Sequence, residues 1–336
     1  MLKRLILNLK EEILKLKQEL DVTIVAHFYQ RDEVFELADV TGDSLELAKK
    51  AMNTQSQYIL FCGVGFMGES VKVLSPQKRV LMPKIACCAM ARMIDVDYFD
   101  ESLKKLNDIG IKNEDLLPIT YINSSAAVKA RVGQMGGMVC TSSNAYKIIQ
   151  KGLESGKKIF FVPDRCLGQN FAKSLKLKSS VIGDGTNLHE ADIICYNGFC
   201  SVHQLFSVED IEFYRNKYPD ILIAVHPECD VSVCDAADFV GSTSQLIQYI
   251  KNLPPEQKVA VGTEYNMVNR LREKNTYILS STKPECPTMN ETTLQDVYNT
   301  LKQIQKNQDA PYENEIIVDE TVVKWAKIAL QRMFEI

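Results

Sequence analysis

The residues of this sequence with the greatest capacity for chemistry are its ten cysteines, which are many for a chain of 336 residues. The N-terminus does not have the pattern of an export signal, so a disulfide framework is disfavoured and metal or redox chemistry gains weight. Three cysteines occupy equivalent places after short apolar runs, namely Cys88 (or its neighbour Cys87), Cys200 and Cys286. We expect the others to be inert core residues, because an unligated thiol behaves as a small hydrophobic group.

A second group of reactive side chains follows three other apolar runs, "TIVAHFYQ" (23–30), "PITYINSS" (118–125) and "ILIAVHPEC" (221–229). Histidine, glutamate and tyrosine are common proton-transfer groups in enzymes. We expect Tyr29 and Glu228 to be the leading acid–base residues, and His203, three residues after Cys200, to touch the substrate. The other members are expected to orient the substrate or to assist proton transfer: His27, Tyr121, Asn123 and His226.

Three hydroxyl-rich turns, each opening a predicted helix, are candidate anion sites: "TGDSLELAKK" (41–50), "CTSSNAYKII" (140–149) and "GSTSQLIQYI" (241–250). The first N–H groups of a helix and its dipole favour negative charge. The expected ligands of carboxylate or phosphate are Ser44, Ser142, Ser242 and Thr243. Serine and threonine are also the usual N-cap residues, so plain capping is the competing interpretation.

A pattern of strands and helices that repeats three times must position these residues. Alternating β-rich and helical stretches predict an α/β fold with parallel sheets. Each repeat has a strand ending in the polar group, the hydroxyl turn and its helix, a second strand with a helix, and a third strand running into a cysteine. We therefore expect three homologous small βαβαβ domains around a pseudo-threefold axis. Sites form beyond the C-terminal ends of parallel strands, so the axis should hold a central active-site cavity. The expected domains are residues 1–88 with 288–336, 89–200, and 201–287.

The bulk composition excludes several classes of partner. The net charge is −4 with acids and bases mixed along the chain, and no basic tract points to nucleic acid. No run approaches the roughly 20 apolar residues of a membrane span. Apolar residues at 2, 5, 6, 9, 13, 16 and 20 predict an amphipathic helix that packs on the protein rather than on a membrane. We therefore expect a cytoplasmic protein.

Three equivalent cysteines are compatible with more than one metal. Structural zinc takes four ligands, usually from paired C-x₂₋₄-C motifs. Cys195/Cys200 and Cys229/Cys234 do have C-x₄-C spacing, although the sequence around them matches such motifs poorly. A [4Fe–4S] cluster normally takes four thiolates, so three would leave one iron open as a Lewis acid for a substrate oxygen. Composition alone leaves both possibilities open.

At these residues the chain closely resembles the quinolinate synthase family, the [4Fe–4S] enzymes of NAD biosynthesis. The matching motifs follow the family order from about residue 21 to 290 and are highly specific together: "AHFYQ", "TGDS", "CGVGFMGES", "MPKIACCAMA", "TYINSSAAVKA", "CTSSNA", "NGFCSVHQ", "AVHPEC", "GST", "GTE" and "CPTMN". The resemblance implies the three-domain fold and the cluster ligands Cys88, Cys200 and Cys286. It also implies condensation of iminoaspartate with dihydroxyacetone phosphate to quinolinate, with loss of phosphate and two waters.

Two positions depart from the family pattern. Cys87 stands where the family usually has glycine, and "KPEC" lacks a C-x-x-C pair seen in some members, which removes redox regulation based on such a pair. The implied partners are the two small-molecule substrates and the enzyme that supplies iminoaspartate, with no nucleic acid and no membrane. Alternatives are another [4Fe–4S] hydro-lyase, a non-catalytic iron–sulfur sensor and a zinc-stabilised binding protein for carbohydrate phosphates. The convergent acid–base residues argue against a sensor.

Overall fold

Three parallel β-sheets organise the computed structural model, which describes residues 2–272, 275–308 and 311–336, with side chains from residue 6 onward. The expected α/β class is confirmed. The chain divides into two compact units, Met1–Cys88 with Cys286–Val323, and Ala89–Glu285 with Lys324–Ile336. The domain boundaries expected at residues 88, 200 and 287, and the arrangement around a pseudo-threefold axis, stay predictions.

The first unit contains a four-stranded sheet in the order β2-β1-β3-β4. Its central strand is buried on both faces, as parallel strands covered by helices are. Its elements are α1 (Leu2–Glu19), β1 (Val22–His27), α2 (Asp32–Phe35), β2 (Val40–Gly42), α3 (Ser44–Met52), β3 (Tyr58–Cys62), α4 (Gly65–Leu74) and β4 (Arg79–Leu81).

The second unit contains the other two sheets. The segment that forms the five-stranded sheet contains, in chain order, α5 (Ala89–Arg92), α6 (Val96–Asp108), β5 (Leu116–Tyr121), α7 (Ala126–Gln134), β6 (Met138–Cys140), α8 (Ala145–Leu153), β7 (Lys158–Val162), α9 (Arg165–Ser174), β8 (Ser179–Val181) and β9 (Ile193–Cys195). The segment that forms the other, four-stranded sheet contains α10 (Val208–Lys217), β10 (Leu222–Val225), α11 (Val231–Ala236), β11 (Phe239–Val240), α12 (Thr243–Asn252), β12 (Val259–Gly262), α13 (Tyr265–Asn269) and β13 (Thr276–Ile278).

The three sheets share one topology. In each, the first strand of the repeat lies between the second strand and the short strand that precedes the hydroxyl-turn helix, as the orders β2-β1-β3-β4, β6-β5-β7-β9-β8 and β11-β10-β12-β13 show. The middle repeat is longer because it inserts one more strand, β8, at the sheet edge. The repeating pattern predicted from sequence is therefore confirmed at the level of strand order.

The terminal helices behave as their apolar periodicity predicts. The two C-terminal helices are α14 (Leu294–Lys306) and α15 (Glu320–Phe334). Ile13 and Leu16 of α1 are buried in one core with Val297 and Leu301 of α14, which confirms that α1 packs on the protein. The side chains of residues 2 to 5, part of the predicted stripe, lie outside the described residues. Among the helices described here, none combines the length and the apolar character that crossing a bilayer requires.

Candidate active site

Three residues singled out from the sequence lie beside a buried carboxylate in the second unit. Glu228 follows β10 in a tight turn and is only 4% exposed. The hydroxyl of Tyr121, at the end of β5, donates to Glu228 Oε1 at 2.6 Å. His203 Nδ1 lies 3.0 Å from Glu228 Oε2. The residue at the end of β5 and the residue after β10, which belong to different parallel sheets, are thus in direct contact.

Two histidines stack beside this carboxylate. The rings of His203 and His226 are 4.7 Å apart with an interplanar angle of 27°. His226 Nδ1 accepts the backbone N–H of Glu228 at 3.3 Å, which leaves Nε2 to carry the proton towards Ser142 Oγ at 3.2 Å. His203 Nε2 is 3.1 Å from the hydroxyl of Thr263. Both nitrogens of His226 and Nε2 of His203 have hydrogen-bond partners within the chain, and these contacts orient the two rings.

The protonation of Glu228 follows from these neighbours. Burial raises the pKa of a carboxyl group, but the imidazoles of His203 and His226 and the hydrogen bond from Tyr121 outweigh it and bring the pKa of Glu228 below its ordinary value. The carboxylate is therefore ionised at neutral pH.

A second buried acid, Asp164, was not singled out from the sequence. It follows β7, is fully buried, and caps α9 by accepting the Leu167 N–H at 3.0 Å. Its other oxygen has no hydrogen-bond partner among the described residues. Burial and the negative charge of Glu228 raise the pKa of Asp164 well above its ordinary value. The place of "PDR" at the end of a second strand, equivalent to "GTE" in the third repeat, was the signal that could have found it.

A buried lysine holds the turn that carries Asn123. Lys129 in α7 is fully buried, and its ammonium donates to the carbonyl of Ile122 at 2.8 Å and to that of Ser124. Asn123 lies between these carbonyls, and its own Oδ1 is buried with no hydrogen-bond partner in the described part of the chain. A polar residue on the apolar face of α7, beside Val128 and Val132, was the sequence signal for Lys129.

The hydroxyl turns differ from one another in what caps their helices. Asp43, not Ser44, caps α3 by accepting the N–H groups of Leu45 and Glu46, each at 3.0 Å. Asn144, not Ser142, is the N-cap residue of α8. Ser242 itself caps α12 in a capping box, and Thr243 is the first helical residue. Plain capping therefore accounts for the Ser242 hydroxyl but not for those of Ser44 and Ser142.

A cavity of about 400 Å³ opens beside two of these turns in the second unit. Ser142, Ser143, Asn170, Lys173, Ser242 and Gln245 contribute to its lining. Ser142 is thus shared between the cavity and the hydrogen bond to His226. Hydroxyl and amide groups of this lining can donate hydrogen bonds to a ligand, whereas the ammonium of Lys173 is paired with Asp235, which also lines the cavity.

The first unit contains the same turn as His226–Glu228, in which a histidine Nδ1 accepts the N–H two residues later. We call this the histidine turn, and in the first unit its third residue is a tyrosine. His27 ends β1, is 3% exposed, and accepts the Tyr29 N–H on Nδ1 at 3.1 Å. The Tyr29 ring stands edge-on to the imidazole, with centroids 4.7 Å apart. His27 and Tyr29 are therefore brought together as predicted. Tyr29 is partly exposed.

The ten cysteines fall into two classes by exposure. Cys88, Cys200 and Cys286 are partly exposed, and Cys87 is exposed. The other six are buried, and burial raises the pKa of each of their thiols: Cys62, Cys140, Cys166, Cys195, Cys229 and Cys234. A raised pKa disfavours the thiolate that metals and electrophiles require. The inert, buried state expected of the remaining cysteines thus holds for these six.

One backbone hydrogen bond recurs before each of the three partly exposed cysteines. The N–H at the start of the helix after the second strand donates to the carbonyl two residues ahead of the cysteine: Gly65 to Ala86 at 2.8 Å, Arg165 to Gly198 at 2.9 Å and Tyr265 to Pro284 at 2.9 Å. Gly198 is required here, because a Cβ at that position would lie 2.5 Å from the carbonyl oxygen of Pro163. By this register Cys88, not Cys87, is equivalent to Cys200 and Cys286.

Each of these cysteines lies on a loop rather than at a strand end. The third strands stop at Leu81, Cys195 and Ile278, five to eight residues before the cysteine. Pro83 and Pro284 lack the N–H that would extend the ladder, so a continuous strand up to the cysteine, expected from the apolar runs, is not formed.

Comparison with known proteins shows the family of this chain. A family model described as quinolinate synthetase A protein (NadA) matches residues 11–335. The chain belongs to the quinolinate synthase family. It is 56% identical over 335 residues to a quinolinate synthase of Helicobacter pylori (strain HPAG1), covering 98% of each chain. It is 40% identical to one from Listeria innocua (94% of this chain, 90% of the relative) and 39% identical to one from Acidobacterium capsulatum (93% and 88%). The resemblance drawn from its motifs is confirmed.

Proposed function

We propose that this member of the quinolinate synthase family condenses iminoaspartate with dihydroxyacetone phosphate to form quinolinate, with loss of phosphate and two waters. The observation that carries the proposal is the buried carboxylate Glu228, held between the Tyr121 hydroxyl and two oriented imidazoles. Enolisation, imine formation and two dehydrations all require proton transfers, and this arrangement has groups that can donate and accept protons. The partners are then two small anions, with another enzyme supplying iminoaspartate.

We further propose that Cys88, Cys200 and Cys286 hold a [4Fe–4S] cluster. Their partial exposure and shared backbone register distinguish them from the six buried thiols, and thiolate formation is the first requirement of a ligand. The residues therefore fit the group. When bound with three thiolates, such a cluster would provide one iron that polarises a substrate oxygen as a Lewis acid.

The chain's own residues divide the remaining work. Glu228, as an ion, accepts a proton from the substrate or relays one between Tyr121 and His203, which touch its two different oxygens. His226 presents its Nε2 proton towards Ser142 and is placed to hold a substrate oxygen. Tyr29 and His27 supply the corresponding pair from the first unit. In this scheme no single residue serves every proton transfer.

Substrate binding is assigned to the hydroxyl turns, which would hold anionic groups, and to Asn123. Ser142, Ser242 and Thr243 stand at or near two helix N-termini of the second unit, and Ser142 and Ser242 line the 400 Å³ cavity. Ser44 offers an equivalent hydroxyl at the start of α3. The buried Oδ1 of Asn123 is an acceptor suited to a substrate hydroxyl or imine N–H. Each helix N-terminus contributes about 0.3–2 kcal/mol to anion binding.

An anaerobic preparation tests the proposal. The reconstituted chain should be brown, contain iron and sulfide, and form quinolinate from freshly generated iminoaspartate and dihydroxyacetone phosphate. Cys200→Ser should lose both colour and product, whereas Cys87→Ser should keep both. A colourless, fully active Cys200→Ser variant would overturn the cluster assignment. A brown protein that dehydrates other hydroxy acids but forms no quinolinate would indicate a different hydro-lyase.

A further inference from the structure

Three side chains of the second unit form a second arrangement suited to metal. Among the described residues, Cys200, His203 and Glu228 are the group whose ligand atoms all lie within 4.8 Å of one another. His203 and Glu228 are 1% and 4% exposed, and Cys200 is partly exposed. A thiolate, an imidazole and a carboxylate are the ligand types that zinc accepts.

Two of the three side chains, His203 and Glu228, make outer contacts through one ligand atom and point the other towards each other. His203 Nε2 is taken by Thr263, and Glu228 Oε1 is taken by Tyr121. His203 Nδ1 and Glu228 Oε2 then face each other at 3.0 Å, yet Nδ1 forms no hydrogen bond with proper geometry in the described residues. A metal-bound histidine typically gives its other nitrogen to a hydroxyl or carbonyl, which is the arrangement seen here.

We propose that, in the chain without its cluster, Cys200, His203 and Glu228 bind one zinc ion, with water in the fourth position. Zinc–ligand bonds of about 2.0–2.3 Å place tetrahedral ligands roughly 3.3–3.8 Å apart, so His203 Nδ1 and Glu228 Oε2 would separate slightly from 3.0 Å, while the Cys200 thiolate already lies within 4.8 Å of both. A thiolate and a carboxylate neutralise the divalent charge. The nearby Tyr121 and Thr263 fix two of the three ligands before the metal arrives.

The consequence is competition between zinc and cluster assembly. Cys200 cannot serve a mononuclear zinc and an iron of a cluster together, so zinc-loaded chain should resist reconstitution. The zinc site uses one cysteine, whereas the proposed cluster uses three. It also lies entirely within residues of the second unit. The inference therefore stands or falls independently of the proposed reaction.

Metal titration of the full-length, cluster-free chain tests this site. Co²⁺ should bind with a stoichiometry of one and give thiolate-to-cobalt absorption in the near ultraviolet, which Zn²⁺ should displace. Cys200→Ser should lose that absorption, and His203→Gln and Glu228→Gln should each weaken Zn²⁺ binding at least tenfold. Thr263→Val, which removes the outer contact of His203, should weaken it about 10–100-fold.

The other cysteines provide matched controls. Cys87→Ser, Cys88→Ser and Cys286→Ser should keep the wild-type cobalt spectrum and zinc affinity, although the last two should lose the cluster. Circular dichroism confirms that each variant is folded. Loss of binding in Cys88→Ser would overturn the proposal, because the metal would then be held by the predicted cluster ligands. Unchanged affinity in folded His203→Gln and Glu228→Gln would overturn it equally.

Discussion

The first unit and the second unit contain the same histidine turn with different companions. In the first, His27 Nδ1 accepts the N–H of Tyr29 at 3.1 Å, and in the second, His226 Nδ1 accepts the N–H of Glu228 at 3.3 Å. In each case the residue two positions after the histidine carries the functional group. One backbone device therefore presents a phenol in one repeat and a carboxylate in another. The turn is the same in both units, while the side chain two positions after the histidine differs.

The companions also differ in burial and neighbours. Glu228 is 4% exposed and held by Tyr121 and His203, whereas Tyr29 is partly exposed and packs edge-on against His27. A buried ion depends on its partners to remain charged. We expect substitutions in the second unit to have the larger effects.

The largest effect is expected from Glu228→Gln. The amide keeps the shape but removes the charge that Tyr121 and the imidazoles hold, so kcat should fall about 100–10,000-fold. Initial-rate quinolinate assays of cluster-loaded protein, with iron content matched to wild type, measure this. Turnover within threefold of wild type would remove Glu228 from proton transfer.

Tyr29→Phe tests the corresponding position of the first unit. The phenylalanine ring still packs on His27, so the cluster and the fold should remain intact. Loss of the hydroxyl removes a proton-transfer group and should lower kcat about 100-fold. The comparison with Glu228→Gln uses the same assay and the absorption of the cluster as control. A rate near that of wild type would show that only one of the two turns performs chemistry.

Lys129→Met should disturb the second unit alone. It leaves the carbonyls of Ile122 and Ser124 without their buried donor, at a cost of about 1–3 kcal/mol in the free energy of unfolding. Asn123 between them should lose its position, so KM should rise more than kcat falls. Denaturant unfolding and steady-state kinetics measure the two effects. Lys129→Arg, which keeps the charge, is the control. Equal kinetics in both variants would contradict a positioning role.

The pH dependence of stability should separate Glu228 from Asp164. The pKa of Glu228 is lowered in the folded state, so its stabilisation is present above the unfolded value of about 4.3 and is lost as the pH falls further. The pKa of Asp164 is raised, so its contribution is complete below about pH 3.9 and is lost as the pH rises through the folded value. Asp164→Asn, which can still cap α9, should therefore gain stability relative to wild type between pH 4 and 8. Melting temperatures across this range that run parallel for the two proteins would contradict a neutral Asp164.

The smallest effect is expected from Cys87→Ser in the first unit. Cys87 is exposed and lies one residue out of the register that relates Cys88 to Cys200 and Cys286. Iron content, cluster absorption and turnover should all match those of wild type. Loss of cluster in this variant, with retention in Cys88→Ser, would mean that the backbone register does not choose the ligand.

Sequence reasoning recovered most of the fold and singled out several residues that the structure brings together, for identifiable reasons. Strands such as β1 and helices such as α14 are specified by local apolar periodicity, and the three repeats reinforce one another. Tyr121, His203, His226 and Glu228 were found because proton-transfer residues directly after apolar runs are conspicuous. Asp164 and Lys129 were missed because their partners, Glu228 and two backbone carbonyls, are brought near them only by folding.

By itself the sequence determined the α/β class, the threefold repeat and the family, because each rests on residue types in a linear order. Tertiary structure alone decided which hydroxyl caps a helix and which buried acid is ionised. Those outcomes depend on distances of a few ångströms between residues far apart in the chain, such as Tyr121 and Glu228 at 2.6 Å. Electrostatic and hydrogen-bond energies change steeply over that range.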